Sequence, residues 1–162
     1  MAIKLDMSKA YDKVDWDFQE KLMRQMGFNG RWIHLFMGYV KTVLYSVLVN
    51  GELWGMIQPT CEIRQGDPLS HFLFLFCTKG LNGLIKRVEN NGDIHGFSLC
   101  RRRPKLIHLL FADDSLLFCR VTMEECSKVL EILNMYEEAS RQKVNRSKNA
   151  LFFRKCSNRN KA

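Results

Sequence analysis

The residues best suited to chemistry in this chain are carboxylates. Asp113 and Asp114 stand side by side in Phe111-Ala112-Asp113-Asp114, between the apolar runs Leu106-Ile107-His108-Leu109-Leu110 and Ser115-Leu116-Leu117-Phe118-Cys119. Each run has the length and β-leaning composition of a strand, which puts the pair at the tip of a hairpin. Asp-Asp is also an ordinary turn dipeptide, because a short carboxylate accepts hydrogen bonds from nearby backbone N–H groups. The flanks argue for more: nearly unbroken apolar runs imply strands buried on both faces, and two like charges held beside such a layer repel. A divalent cation would resolve that conflict. A third carboxylate, Asp6, closes the strand-like Ala2-Ile3-Lys4-Leu5-Asp6. If the two strands are neighbours in one sheet, the three carboxylates meet at one end of it. That geometry serves two-metal phosphoryl transfer, with ions about 3.5–4 Å apart. Oxygen-only ligands favour Mg²⁺ over zinc or copper.

The elements that must position these groups follow from pattern. Met7 to Lys13 is turn-like, and Asp15 caps a helix with Phe18, Leu22 and Met26 on one face, stopped by Gly27. A second helix is predicted from Arg31 to Thr42, its apolar set being Trp32, Leu35, Phe36, Tyr39, Val40 and Val43. Leu44 to Val49, Asn50-Gly51 and Glu52 to Ile57 form a hairpin signal, since Asn-Gly supplies the positive φ angles of a two-residue turn. Arg64-Gln65-Gly66-Asp67-Pro68 leads into a long central helix carrying Leu69, Phe72, Leu73, Phe76, Cys77, Leu81, Leu84, Ile85 and Val88, ending near Asn90-Asn91-Gly92. After the carboxylate hairpin, Thr122 to Glu125 fits a capping box for a helix that turns Cys126, Val129, Leu130, Leu133 and Tyr136 inward. A short strand, Ala150 to Phe153, precedes a basic, frayed tail. Strands and helices with antiparallel hairpins give an α+β fold, an antiparallel sheet packed on helices.

A chain of 162 residues, 46% of them hydrophobic, can bury one real core. The longest apolar stretch, Leu69 to Ile85, is broken by Ser70, His71 and Lys79, so no membrane span is expected, and the first residues lack a signal-peptide pattern. An intracellular protein with reduced thiols is the expectation, because the six cysteines include no C-x-x-C pair. Of the net charge of +8, all resides in Arg141 to Ala162, which holds eight basic residues and no acidic one. With the cluster Arg101-Arg102-Arg103-Pro104-Lys105, this suits contact with a polyanion such as nucleic acid, although solvated surface charge explains it equally.

Four stretches in order, Leu5-Asp6-Met7-Ser8-Lys9-Ala10-Tyr11-Asp12, Arg64-Gln65-Gly66-Asp67-Pro68-Leu69-Ser70, Leu109-Leu110-Phe111-Ala112-Asp113-Asp114 and Lys143-Val144-Asn145-Arg146-Ser147-Lys148, resemble successive motifs of reverse transcriptases. The match is closest to the non-LTR (LINE-type) retrotransposon group of plants and spans residues 1–154, with 155–162 as a basic polar tail. The resemblance implies a polymerase palm with an RNA template, a DNA primer and deoxynucleoside triphosphates as partners. Two Mg²⁺ ions, replaceable by Mn²⁺, are the implied cofactors, no membrane is involved, and the nucleus is the implied compartment. It makes Asp6 and Asp113 metal ligands, adds the Met7 carbonyl, and sets Asp114 beside them. Tyr11 falls where the family has an aromatic that blocks a nucleotide 2′-hydroxyl, with plain packing as the rival role. Arg64, Gln65 and Gly66 resemble the loop that positions template and nucleotide, with a plain helix-entry turn as the rival reading, and Lys148 resembles the lysine proposed to protonate pyrophosphate, with an ordinary surface lysine as its rival.

The chain also departs from that pattern. His71 stands where a proline is usual, Cys61 and Glu62 replace an arginine and a glycine, Lys79 replaces an acid, and Arg141 replaces a glycine. Fingers and thumb are largely absent from the stretch, so an isolated palm should bind substrate weakly, since positioning supplies much of the rate in phosphoryl transfer. The alternative is a non-catalytic nucleic-acid-binding remnant of a decayed element, whose binding would fall steeply with salt.

Overall fold

The computed structural model describes residues 1–8, 14–61, 67–98, 100, 105–111, 114–145 and 147–153. Its elements are β1 (Ala2–Ser8), α1 (Trp16–Gln25), α2 (Gly30–Lys41), β2 (Tyr45–Val49), β3 (Glu52–Ile57), α3 (Pro68–Asn90), β4 (His108–Phe111), β5 (Asp114–Phe118), α4 (Met123–Ser140), β6 (Lys143–Val144) and β7 (Ala150–Phe152). The expected α+β architecture is present, and no described helix is long and apolar enough to cross a membrane. The chain divides into two compact units, one formed by Met1–Ser8, Asn82–Met135 and Val144–Ala162, the other by Lys9–Leu81 and Tyr136–Lys143.

The first unit is built on an antiparallel sheet in the order β4-β5-β1-β6, with β7 also pairing with β1. β1 runs antiparallel to β5 with Ala2 opposite Phe118 and Asp6 opposite Asp114. On β1 the burial alternates as the two-residue pleat demands: Ile3, Leu5 and Met7 are buried, while Lys4 and Asp6 are half-buried. β5 alternates likewise, Ser115 and Leu117 inward, Asp114 and Leu116 on the open face. The expectation that the carboxylate hairpin is buried on both faces is therefore corrected. Its composition is apolar throughout, yet Phe111 is 84% exposed and Leu109 44%. β1 also extends through Met7 and Ser8, which the sequence pattern assigns to a turn.

Two loops of this unit are tied by one carboxylate. The buried Glu125 accepts hydrogen bonds from the His95 N–H at 3.1 Å, the His95 ring Nδ1 at 2.9 Å and the Arg120 N–H at 2.8 Å. Burial alone would raise its carboxyl pKa, but these donors outweigh it and hold the group below the usual range. Thr122 caps α4 by accepting the Glu125 N–H at 3.3 Å, as the capping box predicts, but the glutamate side chain serves the loops instead of reaching back.

In the second unit Asp15 caps α1 by accepting the Phe18 N–H at 2.8 Å. The buried face of α1 is Gln19 and Met23, whereas the predicted Met26 is exposed. α2 buries Ile33, Met37 and Val40, and the predicted inward residues Trp32, Leu35 and Tyr39 are exposed. α2 is apolar nearly all round, so spacing alone cannot select its inner face. Leu130 of α4 and Phe72 of α3, predicted inward, are likewise exposed. Val14, Val40, Leu73 and Cys77 form one core cluster, with Phe18 and Phe76 against it, and burial pushes the Cys77 thiol up to about 12. Tyr136 closes this core, its Oη 2.5 Å from Gln142 Oε1 and 3.2 Å from the Cys77 carbonyl. Asn50 and Gly51 turn the β2–β3 hairpin with φ of 51° and 87°, as the Asn-Gly signal requires. The described cysteines 61, 77, 100, 119 and 126 are free thiols.

Candidate active site

Strand register brings the carboxylates together. Asp6 and Asp114 stand directly opposite each other on adjacent antiparallel strands and share the open face of the sheet. Directly opposed residues have Cβ atoms about 4.5–5.5 Å apart, and like charges so placed destabilise a sheet unless a cation joins them. Asp113 lies outside the described residues, as do Tyr11, Arg64, Gln65 and Gly66 and the basic residues Arg101, Arg102 and Arg103. Asp114, the neighbour of Asp113 in sequence, opens β5, so the hairpin tip begins at the Asp6 end of the sheet.

The backbone of Asp6 is fixed on its second side by the segment that carries Lys148. The Asp6 carbonyl accepts the Asn145 N–H at 2.8 Å, and the Asp6 N–H donates to Asn149 Oδ1 at 3.2 Å. Between these anchors the chain turns tightly. Asn145 Oδ1 accepts the Ser147 N–H at 3.3 Å and its hydroxyl at 2.7 Å, and the Asn145 carbonyl accepts the Lys148 N–H at 3.1 Å. Such an Asx turn needs a short side chain with an oxygen acceptor at its first position, as asparagine or aspartate supplies. Lys148 is exposed on a loop whose two ends are hydrogen-bonded to the Asp6 backbone.

Electrostatically the pair of carboxylates is unequal. Lys4 Nζ lies 2.7 Å from Asp114 Oδ2, with the two side chains 39% and 36% exposed. No side-chain hydrogen bond or ion pair among the described residues engages the half-buried Asp6 carboxylate. Met7 is buried, so its contribution to a site is restricted to the backbone carbonyl. Sequence reasoning did not single out Lys4 or Asn149. Lys4 stands two residues before Asp6, on the same face of a strand, and that spacing was the available signal. Asn149 directly follows the lysine motif, but its bond to Asp6 depends on a long-range pairing that no local pattern carries.

Comparison with known proteins follows the same lines. A family profile described as reverse transcriptase (RNA-dependent DNA polymerase) matches residues 1–159. An uncharacterized mitochondrial protein of Arabidopsis thaliana is 41% identical over 80 residues, which are 49% of this chain and 66% of that protein. The retrovirus-related Pol polyprotein from type-1 retrotransposable element R2 of Popillia japonica is 30% identical over 115 residues, 71% of this chain and 18% of the polyprotein. Telomerase of Candida tropicalis, solved with a TWJ fragment of telomeric RNA, superposes with a TM-score of 0.71 at 12% identity, covering 92% of this chain and 25% of that one. Telomerase of Candida albicans gives 0.64 at 13% identity, covering 96% and 27%. At such identities the two telomerases speak to the fold alone, which is palm-like. The chain spans less than two thirds of the curated relatives it matches and about a quarter of the telomerase chains.

Proposed function

The chain belongs to the reverse transcriptase (RNA-dependent DNA polymerase) family, and on that premise we propose that it is the palm portion of a non-LTR retrotransposon polymerase, joining deoxynucleotides to a DNA primer on an RNA template. The observation that carries this reading is the register of Asp6 opposite Asp114, with the Lys148 turn bonded to Asp6 from the other side. Divalent cations fit the donors that are described. Asp6 offers a half-buried carboxylate with no side-chain partner among the described residues, the Met7 carbonyl is next to it, and every donor is oxygen, as Mg²⁺ prefers. Asp6, Asp113 and the Met7 carbonyl would hold two Mg²⁺. Bound there, the ions supply charge stabilisation for in-line attack of a primer hydroxyl on a nucleotide phosphate.

The chain's own side chains would do the rest. Lys148, on a turn anchored at Asp6, would donate a proton to departing pyrophosphate. Tyr11 would lie against the sugar of the incoming nucleotide, and Arg64, Gln65 and Gly66 would position the template and that nucleotide. Primer extension on an RNA template with Mg²⁺ tests the proposal. Product should form with the wild-type chain and fall at least about 100-fold in Asp6→Asn and in Asp113→Ala. Product that survives both substitutions, or none at all from the wild type, removes the catalytic reading.

A second reading is favoured by the eight basic residues between Arg141 and Ala162. In that case the chain binds nucleic acid without acting on it. Binding would then weaken steeply with salt and be indifferent to Mg²⁺ and to Asp6, which gel shifts across a salt series would separate from the polymerase reading.

A further inference from the structure

Lys4 and Asp6 occupy alternate positions on β1 and share its open face, and Asp114 stands opposite Asp6 on β5. Lys4 therefore reaches Asp114 along the cross-strand diagonal, a distance that a long side chain spans, and its ammonium closes to 2.7 Å of Asp114 Oδ2. The outcome is an asymmetric site. One of two opposed carboxylates already has a cation supplied by the fold, while no side-chain partner engages the other among the described residues.

Resting on the functional reading above, we propose that Lys4 is a positioning residue that serves as a built-in counter-ion for Asp114. Its ammonium keeps Asp114 from joining Asp6 as a full metal ligand, and it lowers the negative charge that a divalent ion meets. Two consequences follow. The sheet tolerates opposed carboxylates when no ion is bound, and a divalent ion is held loosely enough to exchange. Removing one positive charge next to a divalent ion in a largely solvated site should tighten ion binding on the order of three- to tenfold.

The experiment is Mn²⁺ binding to the full chain, followed by the electron paramagnetic resonance signal of free Mn²⁺, with thermal melting by circular dichroism as a control for folding. Wild type is compared with Lys4→Met, Lys4→Arg, Asp6→Asn and the double variant Lys4→Met/Asp114→Asn. Lys4→Met should bind Mn²⁺ three- to tenfold more tightly and gain more thermal stability from it, the double variant should return to wild-type affinity, and Lys4→Arg should resemble wild type. Unchanged or weaker binding in Lys4→Met, or tighter binding that persists in the double variant, overturns the role of Lys4 while leaving the metal site intact. Mn²⁺ binding that Asp6→Asn does not alter overturns the functional reading and the counter-ion role together.

Discussion

Replacing Gln19 by methionine should make the protein more stable. Gln19 is 0% exposed, and neither Oε1 nor Nε2 has a hydrogen-bond partner among the described residues. Each unsatisfied buried polar group costs about 1–3 kcal/mol, and apolar atoms of the same shape remove that cost without opening a cavity. Methionine keeps the unbranched length of glutamine and would extend the apolar face already begun by Met23. Allowing for imperfect packing, the gain should be about 2 kcal/mol, which for a chain of this size is a rise in melting temperature of about 4–8 °C. Urea unfolding followed by far-ultraviolet circular dichroism measures it directly. The midpoint should move up with an unchanged slope, since no additional surface is exposed. Gln19→Glu should do the opposite, because it places an unpaired charge in the same site. A lowered or unchanged midpoint for the methionine variant would mean that the amide is satisfied in solution, and the reasoning would fail.

Arg141 holds φ of 59° at the end of α4, where the family pattern expects glycine. Arg141→Gly should relieve about 1 kcal/mol of backbone strain, offset by loss of the 3.0 Å ion pair between its largely exposed guanidinium and the mostly buried Asp15 carboxylate, for a small net gain in the urea midpoint; a clear loss would show that the ion pair dominates. His108 has a buried Nε2 without a partner among the described residues, and burial lowers its imidazole pKa. A histidine whose folded pKa is depressed contributes stability that is present above the unfolded value of about 6.5 and is lost as pH falls through the window below it. His108→Leu should flatten that loss between about pH 7 and 5 in melts taken across pH, and a slope identical to wild type would assign it elsewhere.

Much of this was legible in local patterns, because turns, caps and motifs are short-range. Asn50-Gly51, the Asp15 cap and the existence of a strand through Asp6 all depend on neighbours within a few residues, whereas its end did not show, since β1 continues to Ser8. Helix faces were less so. In α2 both Ile33, Met37, Val40 and Trp32, Leu35, Tyr39 are apolar sets at helical spacing, and only tertiary packing decides between them. The two-residue β6 carries no periodic signal, and the Lys4–Asp114 bond requires knowledge of the register. Gln19 gives no sequence sign of burial, since glutamine on a capped surface helix reads as solvent-facing. The pairing of Asp6 with Asp114 confirms that the two strands are neighbours, which spacing alone could not establish.

The β2–β3 hairpin has a consequence for handling the protein. It is a two-stranded sheet by itself, with Leu48, Leu53, Trp54 and Met56 each more than 60% exposed and Glu52 its single charge. Among the described residues neither outer edge is paired, and apolar side chains project from both faces, whereas natural sheets blunt such edges with lysine or proline. Every copy thus carries the same adhesive ribbon, and strand addition between copies competes with the monomeric state at a rate that grows with the square of concentration. Dilution, or a charge placed on the ribbon, is what should slow that association.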